Sequence, residues 1–376
     1  MEKRTVSFTP PPYPYDRLKT LTEAAARHEG GAVECSIGTP IDEPPAFVRE
    51  ALGRASGAKS YPPSIGTAQY RESAANWMAR RFGVTLDSEQ IAACIGTKEF
   101  VASTAHYLHL LRPERDTVLF PAISYPTYAM GATLAGLRPV PVVMRDGALD
   151  LASINPADAA RALLLWSNSP SNPTGALDDL AAVAAWGRAH DVWVASDECY
   201  AEFTWSTTPQ SILQHGTAGV LAVHSISKRS NLAGLRAGFY AGDSDLVQYL
   251  RAVRQHAGMM VPHPVQTAVA AAYDDDDHVA LQRERYLHRL TFMSAALGEV
   301  GIDAPVPAGG FYLWGRHGAL DGWSVAQRLA DIGGIVVSPG ELYGDAGTPY
   351  VRLAVVQPDE ALERVAQRLH RHGAHL

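Results

Sequence analysis

A lysine with small and hydroxyl-bearing neighbours, placed just past an apolar β-branched run, is the first residue in this chain that can do chemistry. It is Lys228, in His224-Ser-Ile-Ser-Lys-Arg-Ser-Asn-Leu-Ala-Gly-Leu-Arg-Ala-Gly238. The run before it, Val220–His224, reads as a strand, so Lys228 falls at a strand's carboxyl end, where open α/β sheets bind ligands. A partly desolvated amine there is a nucleophile toward an aldehyde. Ser225, Ser227 and Arg236 add hydroxyl donors and a guanidinium fork suited to a phosphate. Standing alone, such a lysine is more often a solvated surface residue.

Three further junctions of the same kind accompany it. Ser169-Pro-Ser-Asn-Pro-Thr-Gly175 is first of all a turn. Val194-Ala-Ser-Asp-Glu-Cys-Tyr200 puts Asp197 where it can cap a helix, or hold a pyridine nitrogen protonated. Cys199 beside it reads as a small buried filler. Asn172 and Tyr200 can hydrogen-bond a phenolic oxygen on the same ring. Gly96-Thr97-Lys98-Glu99 opens a helix after Ile91–Ile95, and its free N–H groups make an anion site. Tyr125 can stack on a planar group or serve as core.

The elements that must position these residues follow from periodicity. Strands are expected at Thr117–Pro121, Pro139–Met144, Ala162–Trp166, Val192–Ser196, Val220–His224 and Ala237–Ala241. Helices are expected at Gln69–Phe82, Thr97–Leu111, Leu177–His190 and Asp245–His256. Apolar runs alternating with helices predict an α/β fold with a mostly parallel sheet. Residues 1–45, rich in Pro and Gly, read as an arm, 46–275 as a large domain and 276–376 as a smaller α+β domain with strands at Gly310–Trp314, Gly334–Ser338 and Tyr350–Val355. The acidic run Asp274–Asp277 suits the start of a long helix through Leu297 better than a calcium loop, which lacks its turn glycine.

Composition narrows the class. The chain has 376 residues, is 47% hydrophobic and carries a net charge of -7, which favours neither nucleic acid nor an anionic membrane as partner. Three scattered cysteines (Cys35, Cys94, Cys199) give no disulfide framework or zinc spacing, and the amino-terminal stretch has no apolar leader core. A cytoplasmic small-molecule enzyme is expected. His106 and His109 lie one helical turn apart without a third metal ligand. No G-x-G-x-x-G follows a strand, which disfavours a nicotinamide site.

Together these segments resemble the fold-type I enzymes that use pyridoxal 5'-phosphate (PLP), specifically the class I/II aminotransferases. Asn172, Asp197, Lys228 and Arg236 stand in the family's order, 25, 31 and 8 residues apart, and the resemblance runs from Gly38-Thr-Pro to Arg352. It implies a large domain with a mostly parallel seven-stranded sheet and a small α+β domain joined by the arm. Lys228 is then the Schiff-base lysine and proton carrier. Asp197 pairs with the pyridinium nitrogen, and Asn172 and Tyr200 bind the ring oxygen. Gly96, Thr97, Lys98 (mainly by backbone), Ser225, Ser227 and Arg236 hold the phosphate, with Tyr125 against the ring. Tyr61, in Tyr-Pro-Pro-Ser-Ile-Gly66, resembles a tyrosine that crosses a homodimer interface to the partner's phosphate. Arg352, in Tyr-Val-Arg-Leu-Ala, resembles the clamp of the substrate α-carboxylate, with Gly38 beside it.

Ser-Ile-Gly-Thr-Pro, Ile-Gly-Thr-Lys-Glu, Ser-Asp-Glu-Cys-Tyr and His-Ala-Gly-Met-Met-Val-Pro are similar to actinobacterial N-succinyldiaminopimelate aminotransferases. That likeness implies lysine and diaminopimelate biosynthesis with glutamate as donor. The polar stretch around Arg254, His256 and Met259-Met260, a departure from simpler relatives, is expected to line the distal pocket. A paralogue for another amino acid, a PLP β-lyase or a sensor on the same fold are the alternatives.

Overall fold

The computed structural model describes residues 8–55 and 59–372. Seven strands form the principal sheet: β1 (Ile91–Cys94), β2 (Thr117–Pro121), β3 (Arg138–Val142), β4 (Ala162–Asn168), β5 (Trp193–Asp197), β6 (Val220–Ser225) and β7 (Gly238–Gly242). Their spatial order is β1-β7-β6-β5-β4-β2-β3. β7 runs antiparallel to both neighbours and every other pair is parallel. All residues of β2, β4 and β6 are buried, which is why these segments read as continuous apolar runs rather than alternating ones. The edge strand β3 carries Pro139 and Pro141, which remove N–H donors from an open edge.

The strand expected at Pro139–Met144 stops at Val142. Met144–Arg145 pairs instead with Ala148–Leu149 across Asp146-Gly147, both at positive φ, as a two-residue hairpin requires. The other sheet strands and the helices Ala68–Phe82, Thr97–His109, Leu180–Ala189 and Ser244–His256 lie where periodicity placed them, with ends moved by up to three residues.

A second sheet of β8 (Ile302–Asp303), β9 (Tyr312–His317), β10 (Ser338–Pro339) and β11 (Tyr350–Ala354) is antiparallel throughout, in the order β8-β9-β11-β10. The expected single strand Gly334–Ser338 is divided. Ile335–Val336 pairs with Val33–Glu34, and Ser338–Pro339 pairs with β11. The amino-terminal stretch is more than an arm over a surface. Its helix Lys19–Ala25 buries Leu21, Ala24 and Ala25 in one core with Leu290, Met293, Leu329 and Leu369. Residues 1–7 lie outside the described residues.

The acidic run is a joint between two helices. Asp274 ends the helix His263–Asp274, and Asp277 begins the long helix Asp277–Glu299. Asp275 between them accepts the His278 N–H at 3.1 Å, the capping role expected of a carboxylate there.

Candidate active site

The parallel strands β4, β5 and β6 end side by side, and the loops after them surround one cavity of about 400 Å³. Asn168, the last residue of β4, stitches these loops together. Its Nδ2 donates to the Asp197 carbonyl at 2.9 Å and its Oδ1 accepts the Asn172 N–H at 2.8 Å. Asp197 closes β5 with its carboxylate toward the cavity. Oδ2 accepts from the Tyr128 hydroxyl at 2.9 Å and Oδ1 from the Cys199 N–H at 3.2 Å. Desolvation raises its pKa, although the donors from Cys199 and Tyr128 work the other way. A cation facing Asp197 would relieve that cost.

Lys228 sits on the short helix Ile226–Arg229, whose first turn is capped by Ser225 Oγ accepting the Ser227 N–H at 3.1 Å. Its Nζ donates to the Gly38 carbonyl from the amino-terminal segment. Burial pulls the amine down to about 8. Cys199 opposes the shift, and the positive charges of Arg352 and Arg236 reinforce it. Near neutrality a larger share of this amine is without its proton than of an exposed lysine, which favours a nucleophile.

Arg352, on β11, reaches the same cavity from the second sheet and is 1% exposed. Nη1 donates to Asn172 Oδ1 at 2.8 Å and Nη2 to the Ser36 carbonyl, while Nε has no partner among the described residues. The guanidinium lies 4.2 Å from the Tyr312 ring centroid and 4.9 Å from that of Tyr343. No carboxylate pairs with it among the described residues. A buried cation left this way is costly unless a ligand brings the anion.

The far end of the cavity is built for an anion of another shape. Thr97, Ser225, Ser227 and Arg236 line it at the amino end of the helix Thr97–His109. Gly96, at φ +74°, packs against Arg236 so closely that a Cβ would lie 2.2 Å from Nη2. Lys98 turns its side chain to the mouth, where Nζ donates to the Tyr13 hydroxyl at 3.3 Å and lies over the Tyr13 and Tyr125 rings.

Of the residues singled out by sequence, Lys228, Asp197, Tyr200, Thr97, Lys98, Tyr125, Asn172, Ser225, Ser227, Arg236, Gly38 and Arg352 all line this cavity, and Gly96 backs it. Tyr61 does not; it is 92% exposed on the outer surface. Arg254 is not a pocket residue either. It is buried outside the cavity, bidentate to Glu99 at 2.8 and 2.7 Å, and His256, Met259 and Met260 also lie outside the lining. Tyr128, Asn168 and Tyr312 escaped the sequence reading. Tyr128 follows Tyr125 by one helical turn, a signal that was available; Tyr312 has no local signal. Cys199, expected as a buried filler, lines the cavity with Sγ 3.2 Å from Thr97 Oγ1.

A half-buried lysine, the Asp197 carboxylate and an arginine without a carboxylate partner among the described residues thus share one cavity. Residues 32–369 match the family model of aminotransferase class I and II, and the chain belongs to that family. It is 42% identical to 4-dedimethylamino-4-oxo-anhydrotetracycline transaminase OxyQ of Streptomyces rimosus, over 96% of this chain and 99% of that one. It is 33% identical to LL-diaminopimelate aminotransferase of Desulforudis audaxviator, over 96% and 95%. Among solved structures it resembles a probable N-succinyldiaminopimelate aminotransferase from Thermus thermophilus, with TM-score 0.85 and 29% identity over 95% of this chain and 99% of that one.

Enzymes of this family depend on PLP, and the donor set fits that group. Asp197 offers the anion that a pyridinium nitrogen needs. The Arg352 bond to Asn172 Oδ1 leaves the amide nitrogen free to donate into the cavity. The chain is a PLP-dependent aminotransferase.

Proposed function

We infer that Lys228 holds the cofactor and carries the proton, and that Arg352 receives the α-carboxylate of the amino acid. The observation that carries this reading is the convergence on one cavity of a half-buried amine and a buried guanidinium, neither paired with a carboxylate among the described residues. When bound, PLP supplies an electron sink that acidifies the α-C–H bond. Asp197 keeps the ring nitrogen protonated. Asn172 and Tyr200 donate to the ring oxygen. Thr97, Lys98 (mainly by backbone), Ser225, Ser227 and Arg236, with Gly96 behind them, hold the phosphate, and Tyr125 lies against the ring. Arg352, with the Gly38 N–H, fixes the substrate so that the Lys228 amine meets the α-proton. Burial of the clamp favours transfer over decarboxylation, because the carboxylate stays bound.

The substrate we propose is N-succinyldiaminopimelate, with 2-oxoglutarate accepting the amino group, within diaminopimelate and lysine biosynthesis in the cytoplasm. Likeness to the two diaminopimelate-type aminotransferases supports it. So does Lys98, a cation at the cavity mouth without a carboxylate partner among the described residues, which can meet a distal carboxylate. The second reading is a bulky cyclic ketone as acceptor, favoured by 42% identity to OxyQ. We further propose that the enzyme is a homodimer in which exposed Tyr61 reaches the partner's phosphate, and that the chain divides near residues 45 and 275.

Mixing the PLP-loaded enzyme with N-succinyldiaminopimelate, and separately with glutamate, tests the substrate. Rapid loss of the visible cofactor band with both supports the reading. Loss with glutamate alone discards the succinylated substrate and turns attention to cyclic ketones.

A further inference from the structure

Tyr200 and Tyr312 come from different sheets' loops and strands, yet their hydroxyls meet at 2.8 Å. Tyr312 is 1% exposed and begins β9, which pairs with the Arg352 strand. Its ring lies beneath the Arg352 guanidinium, and its hydroxyl faces Gly38, where a Cβ would stand only 2.0 Å away. The glycine therefore makes room for this hydroxyl. Tyr200 is the sole hydrogen-bond partner of the Tyr312 hydroxyl among the described residues, and the reverse holds too.

Burial raises both phenols, Tyr312 to about 12 and Tyr200 well above its usual value, so each keeps its proton through the physiological range. Two protons are thus shared between two oxygens. One of them must point along the pair, and only one arrangement leaves the Tyr200 proton free for the cavity. Arg352, Cys199, Tyr15 and Tyr125 are the charged or titratable groups facing this pair, with Lys228 across the cavity.

We propose that Tyr312 is a positioning residue whose hydroxyl donates to that of Tyr200, aiming the Tyr200 proton at the cofactor's ring oxygen. The inference rests on the role given to Tyr200 above. A donor that itself accepts a hydrogen bond is polarised, so Tyr200 donates more strongly in the chain Tyr312→Tyr200→ring oxygen. The stronger that donation, the less negative charge the ring oxygen offers the proton shared with the Lys228 linkage, and the lower the pH at which that linkage loses it.

The test is a spectrophotometric pH titration of the resting holoenzyme, without turnover. Tyr312→Phe keeps the ring under Arg352 and is expected to move the midpoint of the visible band upward by roughly half a unit, the size of one neutral hydrogen bond. Tyr200→Phe should move it further, and the double variant no further than Tyr200→Phe alone, since Tyr312 acts only through Tyr200. Gly38→Ala, which displaces the same hydroxyl, provides a second route to the same upward shift should Tyr312→Phe not take up cofactor. A shift in Tyr200→Phe with none in Tyr312→Phe overturns the proposal and leaves the Tyr200 role standing. No shift in either removes both. An additive double variant shows Tyr312 acting on its own and likewise overturns it.

Discussion

Lys228 and Arg229 are neighbours in sequence and opposites in surroundings. The Lys228 amine faces the cavity with only the Gly38 carbonyl as acceptor among the described residues. The Arg229 guanidinium, on the other side of the short helix, is buried among Glu202, Asp276 and the carbonyls of Ala272 and Asp275. Glu202 also takes Arg81 and the Trp77 indole N–H, and nearby Glu198 stands 3.1 Å from His224. Among the described residues on that side, Arg229 is paired with Glu202 and Asp276. On the cavity side Lys228 and Arg352 have no carboxylate partner among the described residues, and Asp197 rests on neutral donors. Buried charges that are paired hold the fold; buried charges left unpaired wait for a ligand.

Three substitutions and one titration probe this contrast. Lys228→Ala is expected to lower transamination by about 10⁴-fold or more while the chain still folds, because no native charge partner is lost. Steady-state rates together with a far-ultraviolet spectrum check both halves, and near-normal turnover would break the contrast at its centre. Arg229→Ala should do the converse. It removes the buried cation that Glu202 and Asp276 share, leaving them Arg81 and Arg80, and is expected to cost about 3 kcal/mol in stability by denaturant titration. A variant as stable as the parent would show that the paired side is not what holds the fold.

Arg352→Ala removes the carboxylate clamp and should reduce kcat/KM by roughly a hundredfold, mostly through KM. Since the lost cation was unpaired, stability should change little. A large loss of stability would move Arg352 to the structural side of the comparison. The smallest effect is in pH. The Lys228 amine titrates at about 8 in the fold, below the ordinary lysine value of 10.5 that it regains on unfolding. Between those values the unfolded chain holds the proton that the folded chain has released. Cofactor-free protein should therefore gain stability from this group as pH rises through that window. Comparison with Lys228→Met isolates the contribution, and parallel curves for the two proteins would contradict it.

Much of this site was legible because it is built from strand ends. A strand followed by a short polar motif fixes where a side chain emerges; Asn172 and Lys228 each follow a strand and Asp197 ends one. Spacing then orders them. Contacts between distant segments leave no such trace. Nothing around Tyr312 says that it meets Tyr200, and nothing in residues 250–260 says that Arg254 turns inward to Glu99 instead of toward the cavity. The amino-terminal helix was missed for a related reason. Prolines at 10–12 and 14 mask a seven-residue helix whose apolar face is completed only by the carboxyl-terminal core.

The central claim, that Lys228 carries the cofactor, is tested most directly by trapping the cofactor on the protein. Reducing the PLP-loaded enzyme with borohydride fixes the cofactor to whichever lysine holds it, and peptide mass mapping then locates it. The added mass is expected on the peptide containing Lys228, and nowhere after Lys228→Ala. Label on Lys98, the other lysine lining the cavity, or on no single residue, would contradict the claim.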